Sequence, residues 1–169
     1  MQKFTFFVAF IFSSLCFAQD VKSPEEFLGY TVGTQFSRHA DVVAYFEHVA
    51  QNSDWVTYKE YGRTNERRPL TYAIVTSPQN QANIESIRTD HLKNTGIQEG
   101  TANPDKAIVW LSYNVHGNEA SSTEASMLTL YELITEKKDW LENTVVIIDP
   151  CINPDGRDRY ANWYNKVKA

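Results

Sequence analysis

Cysteine is nearly absent from this chain, with two in 169 residues. They stand at positions 16 and 151. Cys16 falls in a segment read below as a removable leader, so Cys151 is alone in the mature chain and an intrachain disulfide framework is excluded. Positive charge is short as well. Sixteen Lys and Arg against 21 Asp and Glu leave a formal net charge of −5, with a sequence pI near 5.4. No basic stripe appears, so no nucleic-acid partner is expected. Past the leader no apolar run reaches the ~18 residues that mark a membrane-spanning helix, so no membrane span is expected. Internal repeats, low-complexity tracts and a domain linker are also lacking. What remains is one domain or part of one, and its 42% hydrophobic and 22% charged content fits a chain with a packed core.

The N-terminus has the parts of an export signal. Lys3 supplies the positive start, residues 4–15 are apolar, and Cys16-Phe17-Ala18 puts small residues before a cut after Ala18. Residues 1–18 are therefore read as a signal peptide, with Gln19 as the mature N-terminus and a secreted or periplasmic destination. Leu15 directly before Cys16 argues against lipoprotein processing.

Apolar spacing then sets out the elements. Residues 24–52 read as helical, with Asp41 as a cap ahead of Val42, Val43, Phe46, Val49 and Ala50 on one face. Residues 56–61 and 70–76 read as a hairpin around the turn 62–68, and the Glu66-Arg67-Arg68 run in that turn reads as solvated. A short helix is expected over 83–92 and a loop over 96–104. Residues 107–113 and 144–148 are continuous apolar strands, the pattern of strands covered on both faces. A helix over 122–136 lies between them, which makes a right-handed crossover. The expected fold is α/β: a mixed, mostly parallel sheet with helices on both faces, forming an incomplete catalytic domain over residues 19–169.

The chemistry concentrates at His116-Gly117-Asn118-Glu119. This stretch leaves one apolar strand and precedes a helix, the place where open α/β sheets bind ligands. A neutral imidazole and a carboxylate three positions apart can share one Zn2+ ion, and catalytic zinc uses three protein ligands plus an open position. His116 and Glu119 are thus candidate metal ligands, with Gly117 expected to let the backbone turn sharply between them. Spacing alone leaves ordinary turn hydrogen bonds as an equal reading. A second stretch, Asn153-Pro154-Asp155-Gly156-Arg157, follows the next strand and reads as a tight loop at the same sheet edge. His39, His48 and His91 read as surface or partly packed residues. Cys151 reads as a buried thiol, and Trp163 and Tyr164 as packing aromatics.

Taken together, the two stretches resemble the zinc carboxypeptidase family, the carboxypeptidase A-like metallopeptidases. That family carries a His-x-x-Glu zinc pair after one strand and an Asn-Pro-Asp-Gly loop after a following one. The resemblance runs roughly from Tyr58 to Tyr164. It implies that His116 and Glu119 match the first two zinc ligands, that Zn2+ is the cofactor, and that the substrate is a peptide or protein. It also implies downstream machinery: a third ligand His, arginines for the substrate carboxylate, a Tyr and a general-base Glu. None of these is matched here, because no His follows residue 116 and Arg157 and Arg159 sit too close to the loop. The chain therefore resembles the N-terminal part of a longer hydrolase. Two alternatives stand beside this reading. One is a zinc acylase of the aspartoacylase or succinylglutamate desuccinylase type, and the other is a non-catalytic chain that keeps the fold.

Overall fold

A computed structural model describes residues 21–168. The leader expected over residues 1–18 lies outside the described residues. Eleven elements follow in order among them: α1 (Pro24–Leu28), α2 (His39–Asn52), β1 (Val56–Arg63), β2 (Pro69–Val75), α3 (Pro78–Ala82), α4 (Ile84–Asn94), β3 (Ala107–Ser112), α5 (Ser121–Thr135), α6 (Lys138–Leu141), β4 (Thr144–Asp149) and α7 (Pro154–Val167). The sheet is mixed, in the order β1-β2-β4-β3. The hairpin strands pair antiparallel and β2 meets β4 antiparallel, while β3 and β4 run parallel, so the sheet is mixed as expected but two of its three pairings are antiparallel, which corrects the mostly parallel reading. The parallel pair carries the crossover through α5, and its two strand ends open on the same edge.

Strand alternation sorts the side chains. Ala73, Val75, Val146 and Ile148 face a core with Val42, Phe46 and Val49 of α2 and Met127, Leu130 and Leu133 of α5. On the opposite face Tyr72, Ile74, Ile108, Trp110 and Ile147 line a half-open hollow of about 480 Å³, bounded by Ile84 and Arg88 of α4. Trp110 is 66% exposed there, so the β3 end of that face is less covered than its apolar run suggests.

Three local readings need correction. The region 24–52 is two helices, because Gly29 takes a left-handed φ of 76° and ends α1. Asp41 does not open α2. It sits in the first turn, where its carboxylate accepts the Arg38 backbone N–H at 3.1 Å. The largest difference is α7, a 14-residue helix that begins within the stretch 153–157 expected as a tight loop. Asn153 caps it by accepting the Gly156 N–H at 3.0 Å, and Pro154 fills the first helical position, where a missing N–H does no harm. The turn-forming letters are a helix start.

Candidate metal centre

Both stretches singled out in the sequence meet at the open end of the parallel pair. Beyond β3 and β4 the ladder continues, with Tyr113 N–H donating to Asp149 O at 3.0 Å and Ile152 N–H to Tyr113 O at 3.1 Å. The chain then turns through residues 114–120 into α5. On that turn the His116 ring Nδ1 and Glu119 Oε1 lie 3.1 Å apart, and the other carboxylate oxygen accepts the His116 backbone N–H at 3.3 Å. The side chains are 71% and 56% exposed, so the pair faces solvent. The ring contact first, and the backbone N–H second, hold the Glu119 carboxyl below its ordinary value.

Gly117 differs from expectation in its reason for being glycine. Its φ does not lie in the left-handed region. A Cβ there would sit 2.2 Å from the carbonyl carbon and oxygen of Gly156. The turn that carries His116 and Glu119 is pressed directly on the first turn of α7, and only a residue without a side chain fits the contact. Asn153 Nδ2 adds a hydrogen bond to Val115 O at 3.1 Å.

Buried polar groups brace this contact. Arg157, fully buried, donates to Ser37 O from Nε at 3.0 Å, to Glu124 Oε1 from Nη2 at 2.5 Å, and to Ala120 O, which follows Glu119 directly. It is a clamp between α5, α7 and the segment ahead of α2, and it does not face a cleft. From the hairpin side, Arg68 reaches Asp155 at 2.7 Å and Asp158 at 2.6 Å, and Thr64 donates to Asp155 at 2.7 Å. Glu66 pairs with Arg68 and Arg159. The run read as a solvated turn is thus tied to α7. Asp149, 2% exposed at the end of β4, accepts the Tyr61 hydroxyl at 2.7 Å, and burial raises its carboxyl above the ordinary value.

The other histidines stay away from the pair. His39 is buried, a correction to the surface reading, with Nε2 2.8 Å from Pro69 O. His48 accepts the Lys22 N–H, and His91 contacts Lys106 O. Among the described residues no group of three or more His, Cys, Asp and Glu could hold a metal ion. The donor types at 116 and 119 suit zinc, but they supply two of the three protein ligands that catalytic zinc uses. Cys151 is buried as expected, with its thiol pushed up to about 12 by burial. Tyr164 packs on Phe36 with ring centroids 4.8 Å apart, whereas Trp163 is 57% exposed. No helix among the described residues is long and apolar enough to cross a membrane.

Known proteins resemble this chain in family and in fold. A sequence model described as zinc carboxypeptidase matches residues 42–168. No curated protein matches. Among solved structures, the carboxypeptidase A of Helicoverpa armigera superposes with a TM-score of 0.57 at 20% identity, covering 82% of this chain and 34% of that one. Bovine thrombin-activatable fibrinolysis inhibitor, solved with a tick carboxypeptidase inhibitor, superposes with a TM-score of 0.53 at 18% identity, covering 79% and 35%. At these identities the likeness shows the fold. This chain spans about a third of the length of either structure.

Proposed function

The chain belongs to the zinc carboxypeptidase family, and from that premise we propose that it is the N-terminal part of an exported metallocarboxypeptidase in which His116 and Glu119 hold the zinc. The observation that carries the proposal is the 3.1 Å approach of His116 Nδ1 to Glu119 Oε1. A ring nitrogen and a carboxylate oxygen that each sit ~2.0–2.2 Å from one ion must lie within a few ångströms of each other. The exposure of both side chains leaves that point open to substrate.

When bound, zinc in such a site polarises a carbonyl and brings its water's pKa to about 7. The residues of this chain bind and orient. Without metal, the His116 ring and N–H already favour the carboxylate form of Glu119 that a metal ligand requires. The contact of Gly117 with Gly156 fixes the turn that carries both donors. Proton transfer and recognition of the substrate carboxylate belong to residues beyond those assigned here. The 169-residue chain is therefore expected to hydrolyse peptides little or not at all, even with zinc added. A form continued through the downstream part of the enzyme is expected to release C-terminal residues. His116→Ala in that longer form should lose both metal content and turnover. Chelator-sensitive turnover by the 169-residue chain would overturn the incomplete-site reading.

A further inference from the structure

Asn114 stands two residues before His116, and it is 2% exposed although Val115, His116, Asn118 and Glu119 of the same loop are exposed. Its backbone takes a left-handed φ of 55°. A non-glycine residue seldom adopts that conformation, and Asn is among the few that do so at small cost. The side chain shows why an amide is suited to the position. Nδ2 donates to His116 O at 2.8 Å and to Glu119 O at 3.2 Å, so one NH2 group holds the carbonyls of both residues of the metal pair. Oδ1 accepts the Cys151 thiol at 3.2 Å. The opposite orientation of the amide would point its oxygen at two carbonyl oxygens, so the three contacts fix which way it faces. The Asn114 N–H donates to Ser122 Oγ at 3.0 Å, and that hydroxyl donates to Glu119 O at 2.8 Å. Apart from the Cys151 contact, these links lead to the backbone of the two donor residues, and none reaches their side chains.

We propose that Asn114 is the positioning residue of the metal pair, its buried amide locking the His116 and Glu119 backbones so that their side chains present to one ion. The inference rests on His116 and Glu119 being the zinc ligands. Partners that orient a ligand without touching the metal change affinity by about 10–100-fold when removed. Asn114→Gly accepts the left-handed backbone and loses the amide. Asn114→Asp keeps the shape and loses both donors.

The test is a calorimetric titration of the full 169-residue protein with zinc chloride, with circular dichroism and Tm recorded alongside. Wild type, His116→Ala, Asn114→Gly and Asn114→Asp are compared. The expected result is that both Asn114 variants remain folded and bind zinc about 10-fold more weakly. Folded Asn114 variants with wild-type affinity would overturn the positioning role while leaving the metal pair intact. Equal zinc binding by wild type and His116→Ala would bring down the metal pair, and this role with it. If neither Asn114 variant folds, Cys151→Ala decides, because it removes one of the three contacts that hold the amide in place. Weaker zinc binding is then expected, and wild-type affinity would overturn the role.

Discussion

Replacing Gly117 with alanine tests how the two loops are joined. The added Cβ would lie 2.2 Å from the Gly156 carbonyl carbon and oxygen and 2.6 Å from its Cα. Carbon contacts settle near ~3.5–4.0 Å, so the shortfall exceeds 1 Å, and it is against backbone. Overpacking costs about 1–3 kcal/mol where neighbouring side chains can turn aside. Here the neighbour is the first turn of a capped helix and cannot, so the expected loss is about 3 kcal/mol. For a domain of this size that is a fall in Tm of roughly 6–12 °C. Gly62→Ala is the control, since its Cβ would meet only Leu70 Cδ1 at 3.9 Å. It should change stability by less than about 1 kcal/mol. Both are read by thermal unfolding followed by circular dichroism. A Gly117→Ala protein with the Tm of Gly62→Ala would show that the ligand turn does not press on α7.

Other parts of the account predict further outcomes. Arg157→Ala leaves Glu124 buried without its partner and should cost about 3–5 kcal/mol in urea unfolding; a loss under about 1 kcal/mol would show that the clamp contributes nothing. Burial raises the Asp149 carboxyl above its ordinary value of 3.8. Its contribution is therefore fully present below that value and fades as pH rises through the raised one. The stability of wild type relative to Asp149→Asn should accordingly fall from pH 3 toward neutrality, and a gap that widens with pH would contradict the assignment. Exported protein should begin at Gln19 by N-terminal sequencing, and an intact Met1 would refute the leader reading.

Much of this layout is legible in the sequence because apolar periodicity reports burial directly. The strands around Val109 and Val146 and the helix carrying Met127 fall where their patterns place them. Where the reading failed, one local pattern had two physical outcomes. Asn153-Pro154-Asp155-Gly156 satisfies both a tight turn and a capped helix start, and only the contact with Gly117 and the clamp at Arg157 decide between them. In sequence Gly117 reads as a point of conformational freedom, yet the need is a close approach between segments 39 positions apart, which no local spacing encodes. Arg68 looked like a solvated charge because its acidic partners, Asp155 and Asp158, lie far along the chain. His39 is buried for the same reason, by a carbonyl of the distant hairpin. Asn114 carried no motif, and its left-handed backbone is visible only once the turn is built.

The most direct test of the central claim is to locate zinc on the protein by anomalous diffraction from crystals grown with zinc. The account predicts one ion bound by a ring nitrogen of His116 and a carboxylate oxygen of Glu119, each at about 2.0–2.2 Å. It also predicts that His116→Ala crystals lose that ion. Zinc seated elsewhere in wild type, with His116 and Glu119 bonded only to each other, would contradict it.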